Sequence, residues 1–148
     1  FAIALGSSLR ACDKLAKAYL SLYNTKLTDV GGRALTAGIV SPSLQDLDLR
    51  LHQTDVSDAT GVALGASLSR CVKLVKVFLT FERCPMGNEG AAAIASSLAD
   101  NPNLREISIF FRGSKVSREC LRAVNQMLRK PWRKLTITPA TGTCCAIQ

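Results

Sequence analysis

The sequence predicts an α/β solenoid, a stack of strand–helix units with a parallel sheet on one side and helices on the other. Three observations predict it. A pattern recurs from Leu15, Leu44, Leu74 and Leu104, at intervals of 29, 30 and 30 residues. Within each unit a two-residue apolar period gives way to a four-residue one. And the pattern runs almost the whole length of the chain, leaving only a short unpatterned end.

The first half of each unit is a strand. In "LAKAYLSL", "LQDLDLRL", "LVKVFLTF" and "LREISIFF" apolar residues stand at positions 1, 4, 6 and 8. Alternation over positions 4, 6 and 8 puts those side chains on one face of a short strand. The second half is a helix. Apolar residues at positions 21 and 25 of each unit are four apart, with helix formers between them, so they share one helical face. Asp29, Asp58 and Asn88 recur just ahead of that helix, where a short polar side chain caps free backbone N–H groups. The fourth unit has Arg118 there, with Ser117 as the expected cap. A lone unit cannot bury its apolar face, whereas stacked units share a continuous core.

The ends follow from the same pattern. "FAIALGSSLRACDKL" matches "TGVALGASLSRCVKL" 59 residues on, with Leu5, Gly6, Leu9, Cys12 and Leu15 recurring identically. Phe1 therefore falls inside a repeat helix, and the chain is expected to be the C-terminal part of a longer array. At the other end "WRKLTI" supplies one last strand, with Trp132, Leu135 and Ile137 expected in place of Leu104, Ile107 and Ile109. The domain organisation expected is a repeat domain over 1–138 and a flexible tail over 139–148.

These four units resemble the leucine-rich-repeat family, specifically its ribonuclease-inhibitor-like class with a full outer helix, and "MGNEGAAAIASSLADNPNL" is similar to arrays of protists. The resemblance implies a leucine-rich-repeat solenoid: a right-handed β-α superhelix with a parallel concave sheet and outer helices. One departure is that Thr25, Thr54, Cys84 and Ser114 stand where the family has a ladder asparagine. Hydroxyls there can still bond the turn backbone, and a thiol does so weakly.

The resemblance also implies that the outward side chains of the strands form the binding surface. Alternation supplies them: Lys17, Tyr19, Ser21 and Tyr23; Asp46, Asp48, Arg50 and His52; Lys76, Phe78, Thr80 and Glu82; Glu106, Ser108, Phe110 and Arg112. Aromatics and arginine anchor protein interfaces, so Tyr19, Tyr23, Arg50, His52, Phe78, Phe110 and Arg112 are the candidate contacts for a protein partner. The competing reading is that the aromatics pack against each other across adjacent strands.

Composition narrows the classes further. Net charge is +8 over 148 residues, but residues 1–100 hold ten Lys/Arg against nine Asp/Glu, and residues 101–148 nine against two. The basic excess lies in the last third, with Arg129, Lys130, Arg133 and Lys134 as its core. An acidic partner is implied. The pattern argues against nucleic acid, because Trp132, the large aromatic nearby, is needed for the core and the other elements of base recognition are missing. Cys12, Cys71, Cys84, Cys120, Cys144 and Cys145 show no metal-ligand spacing, so reduced thiols and a cytoplasmic monomer without metal or cofactor are expected. No catalytic residue is assigned. His52 has no nucleophile placed beside it by the strand pattern, and the glycines of "VGG" and "GNEG" recur as punctuation rather than as a phosphate loop. A few arrays of the family activate small GTPases, which needs an arginine in an N-terminal repeat outside these residues.

The chain closes on "CAIQ", which fits the C-a-a-X prenylation pattern with a terminus that favours farnesyl. Cys145 is the expected lipid site and the neighbouring Cys144 a palmitoylation site. One lipid chain anchors weakly, and a second chain or a basic patch strengthens it. The alternative function is therefore a prenylated, GTPase-regulating or signalling array held at an anionic membrane surface on its cytoplasmic face.

Overall fold

The computed structural model describes residues 1–138. Helices and strands alternate throughout: α1 (Ala2–Arg10), β1 (Lys17–Ser21), α2 (Asp29–Gly38), β2 (Asp46–Arg50), α3 (Asp58–Leu68), β3 (Lys76–Thr80), α4 (Asn88–Ala99), β4 (Glu106–Phe110), α5 (Arg118–Leu128) and β5 (Lys134–Thr138). The strands form one parallel sheet in sequence order. This is the solenoid expected from the repeats, with the helices on one side of the sheet.

The repeat positions are the core. Leu47, Val77, Ile107 and Leu135 pair across β2 to β5, and so do Leu49, Leu79, Ile109 and Ile137. In the four full units every residue at positions 1, 4, 6, 8, 13, 21 and 25 is buried, except Leu15, Leu20 and Leu22 of the first. Phe81 and Phe111 stack in this core with ring centroids 6.0 Å apart. After each strand the chain turns through a residue with positive φ: Asn24, Gln53, Arg83 and Gly113. The ladder hydroxyls serve these turns. Thr25 and Thr54 donate to the carbonyls of Leu22 and Leu51, and the Cys84 thiol lies 2.9 Å from the same Leu51 carbonyl.

The helix caps differ from expectation. Asp29, Asp58 and Asn88 are the first helical residues, and their side chains do not cap their own helices. Asp29 Oδ1 accepts from the backbone N–H groups of Ser57 (2.8 Å) and Thr60 (3.1 Å), at the start of α3. Asp58 Oδ1 accepts from Gly87 (2.8 Å) and Gly90 (2.7 Å), at the start of α4. Asn88 Oδ1 accepts from Ser117 (2.7 Å), at the start of α5. Each side chain thus caps the helix of the following unit, and the reason is geometric: parallel helices in register bring the first residue of one beside the orphan donors of the next. Ser117 does cap its own helix, accepting from Cys120 N–H at 3.1 Å.

Close helix packing makes that reach possible. A methyl group placed on Gly61 would lie 2.6 Å from Gly90 Cα, inside any tolerated contact. Gly32 meets Thr60 in the equivalent place. The glycines read as punctuation are therefore points where neighbouring helices touch.

Two expectations fail at the last unit. Trp132 is 57% exposed rather than buried, although Leu135 and Ile137 keep their columns. β5 is the last element of the described residues, so no described unit beyond it covers that position. Arg133, expected on the basic surface, is buried at 7% exposure. Its guanidinium donates to the carbonyls of Asn101 (3.0 Å), Leu104 (3.3 Å) and Leu128 (3.0 Å). Leu128 ends α5 and the other two carbonyls lie in the loop before β4, so Arg133 does for them what the side chains of Asn101 and Asn103 do for the Cys71 and Val72 carbonyls one repeat earlier. Burial, with Arg105 nearby, lowers the Arg133 pKa.

Candidate functional site: the open face of the sheet

The face of the sheet away from the helices carries the outward side chains in straight rows, because parallel register stacks equivalent positions. The first row is Lys17, Asp46, Lys76, Glu106 and Lys134. Charges alternate along it from strand to strand. Glu106 lies 3.7 Å from Lys76 and 3.3 Å from Lys134. Asp46 accepts a 2.8 Å hydrogen bond from the Tyr19 hydroxyl, and that bond raises the Tyr19 pKa.

The middle rows hold the aromatic cluster. Phe78 and Phe110 meet diagonally across β3 and β4, with centroids 5.2 Å apart and planes tilted by 43°. The Arg50 guanidinium stands 5.2 Å from the Phe78 centroid. The same guanidinium is gripped in fork geometry by Asp48, at 2.9 and 2.8 Å, which raises its pKa and fixes the plane over the ring. Both phenylalanines are half-buried. They pack on each other and still present an edge to solvent, so the two readings of these aromatics are compatible.

The last row lies where the strands enter their turns. Tyr23 stacks on His52, centroids 5.0 Å apart and planes within 9°. His52 Nδ1 is 3.2 Å from the Thr80 hydroxyl. Arg112 lies 3.7 Å from Glu82. Tyr19 and Tyr23 are the most open of the candidate aromatics, at 61% and 56% exposure.

All seven candidate contact residues therefore share one face, though not one cluster. Arg50, Phe78 and Phe110 form a centre, Tyr19 and Tyr23–His52 lie on the β1 side, and Arg112 stands at the turn edge. The charge row was missed as a unit. Its signal was present in the sequence, since position 3 of successive repeats alternates in sign.

Little on this face resembles a reaction centre. A hydroxyl does lie beside His52, that of Thr80, but Asp48 is committed to Arg50 rather than to the ring. Among the described residues no group of three or more His, Cys, Asp or Glu side chains gathers as a metal site would. Burial pushes the thiols of Cys71 and Cys120 up, despite a hydrogen bond and Arg70 beside Cys71, as for unreactive structural cysteines. Cys144 and Cys145 lie outside the described residues, as does all of the "CAIQ" ending. Of the basic group, Arg129, Lys130 and Lys134 remain at the surface, and Lys134 is paired with Glu106. No helix among the described residues is long and apolar enough to cross a membrane.

No family model matches the sequence, and no curated protein matches it. Solved structures do match the fold. Leiomodin-1 actin-binding site 2 superposes with a TM-score of 0.66 at 13% identity, over 91% of this chain and 76% of that one. The Caenorhabditis elegans tropomodulin C-terminal domain superposes with a TM-score of 0.57 at 16% identity, over 86% of this chain and 90% of that one. The fold is thus a leucine-rich-repeat-like α/β stack, a parallel sheet with helices along it.

Proposed function

We propose that this chain is a non-catalytic recognition module or scaffold that binds a protein partner on the open, concave face of its sheet. The observation that carries this reading is the Arg50–Phe78–Phe110 cluster at the centre of a solvent-facing sheet, flanked by exposed Tyr19 and Tyr23. Half-buried aromatics under an oriented guanidinium are the side chains from which interface anchors are made. The charges around them are mostly paired with one another, so the partner is recognised by apolar and aromatic contact more than by net charge. Binding should then depend only weakly on salt, unlike steering by an unpaired patch. The leiomodin-1 structure, named for an actin-binding site, supports protein binding by a stack of this kind and makes purified actin the first partner to try. The test is the double variant Phe78→Ala/Phe110→Ala. It should keep its thermal melt close to that of the parent while losing at least about tenfold in affinity, the size of one modest hot spot. If proteins cross-linked in the native cell are the same for parent and double variant, the open face is not the binding site.

The "CAIQ" ending favours a second reading, a membrane-anchored and GTPase-regulating or signalling role. With Arg133 buried and Lys134 paired with Glu106, Arg129 and Lys130 are left to meet an anionic leaflet, each worth about 1 kcal/mol near its surface. Cys145→Ser should release a farnesylated chain from membranes. An intact mass showing the unmodified terminus in the native cell would exclude the anchor.

A further inference from the structure

In a parallel stack every connection from a helix to the next strand emerges on one edge of the sheet, and every strand-to-helix turn on the other. The two edges differ in charge. Segments 10–17, 39–46, 69–76, 99–106 and 129–134, which lead from helices into strands, hold eleven Lys/Arg against four Asp/Glu. The opposite turns, 21–29, 50–58, 80–88 and 110–118, hold six against four. By position in the chain the basic excess belongs to the last third, but the fold joins to it Lys14, Arg70 and Lys73 from earlier units. Among the described residues Arg70, Lys73, Arg105 and Arg129 take part in no salt bridge, whereas Lys76 and Lys134 are held by Glu106. A cation in the last turn of a helix serves the helix dipole. Of the described helices only α1 has a basic residue there, so the dipoles account for little of the excess.

The excess has a focus. A recess of about 390 Å³ crosses three neighbouring connections and is lined by Gln45, Lys73, Val75, Asn103 and Arg105. Its four polar side chains are exposed. Arg105 is held at the edge by its Nη1, which donates to the Pro102 carbonyl at 2.7 Å. Its Nε and Nη2 bond nothing among the described residues. The Asn103 amide donates to the Val72 carbonyl at 2.9 Å, and its side-chain oxygen remains an acceptor. Arg133 is buried close by, and Arg105 adds to the burial that lowers its pKa. The two guanidinium groups repel each other, and an anion bound at Arg105 would relieve that repulsion.

We propose that this edge, centred on the recess, receives an extended acidic segment of a protein partner. Carboxylates of the segment pair with Lys73 and Arg105, and the Gln45 and Asn103 amides bond its backbone, which offers both donors and acceptors. At the usual strand spacing the recess is roughly 10 Å across, the reach of about three extended residues. A continuous polyanion fits less well. Asp46 and Glu106 follow Gln45 and Arg105 in the chain, in the row where the sheet begins. A phosphate chain or an anionic leaflet would meet those two carboxylates, whereas a peptide can answer them with neutral or basic residues. The site is separate from the Arg50–Phe78–Phe110 centre, and its binding falls steeply with salt.

The probe is a fluorescein-labelled octapeptide of alternating glutamate and serine, followed by fluorescence anisotropy with the full chain. The peptide itself has no apolar side chain to engage Phe78 or Phe110, so the result is read apart from the open-face reading. Binding should be absent with glutamine in place of glutamate, and should weaken as salt rises. Lys73→Glu/Arg105→Glu should weaken it at least about tenfold, as for lost charge-assisted hydrogen bonds. Lys73→Glu alone, which leaves the Arg105 bond to Pro102 in place, should weaken it about threefold. Lys26→Glu/Lys115→Glu makes the same charge change on the opposite edge and should alter it by less than about twofold. No binding of the glutamate peptide, or equal losses from the two double variants, would overturn the proposal. So would tighter binding of phosphatidylserine vesicles or of a single-stranded oligonucleotide that depends equally on Lys73 and Arg105, because that would assign the edge to a lipid surface or to nucleic acid.

Discussion

Single side chains decide more at the ends of this stack than in its middle. Arg133 occupies a position that sequence alone assigns to a basic surface, since a run such as "RKPWRK" reads as solvated charge. Its burial follows from backbone accounting that no local pattern reveals: two carbonyls of the loop before β4 and one at the end of α5 need donors, and one guanidinium has enough. Arg133→Ala should therefore destabilise the fold by about 2–4 kcal/mol, the cost of leaving buried acceptors unpaired. Arg129→Ala should be nearly neutral, because Arg129 is exposed. Equal melts for the two variants would contradict the assignment. The open face was more legible. Strict alternation along each strand fixed which side chains point outward, and the structure places Tyr19, Arg50, Phe78 and Phe110 accordingly. What alternation could not provide was partnership, such as Asp48 holding Arg50 over Phe78.

At the scale of the element, strands and helices were readable because each unit carries two distinct periods, and four copies average out local noise. The caps were not, because their partners lie about 30 residues away in sequence. The composition of a cap is the same whether it serves its own helix or the next one. The two cases respond to pH through the same carboxylate. Burial raises the Asp29 pKa, but hydrogen bonds from the side chains and backbone of Ser57 and Thr60 outweigh it, leaving the value lowered. A lowered folded-state pKa adds stability above the unfolded-state value, which is near 4 for aspartate, and that stability is lost as pH falls through the folded-state value. Asp29→Asn retains an acceptor oxygen but cannot titrate, as Asn88 already does at the α4–α5 contact. The variant should keep its stability at pH 7 within about 1 kcal/mol, as expected for one retained cap. Its melting temperature should fall less steeply than the parent's between about pH 5 and 2. Parallel acid limbs for the two chains would show that the carboxylate is not acting as described.

For the whole molecule, the decisive property is that each unit touches only its neighbours. Leu49, Leu79 and Ile109 form one column across β2, β3 and β4 and are fully buried. Leu79→Ala in the middle of that column should cost about 2–5 kcal/mol, as for other buried leucines. Leu20→Ala, in the same column but half-buried at the β1 end, should cost less. A reversed order in chemical denaturation would contradict the repeat register. The capping ladder also gives the chain a mechanical direction. Every rung is an acceptor held by one unit and donors held by the unit after it, so removing a unit from the β1 side takes away the acceptor of the next. At the far side the last backbone groups are tied by Arg133 from within the same end. Pulled from both termini, the stack should peel in one sense, from α1 toward β5, with each unit loosened by the departure of the one before it.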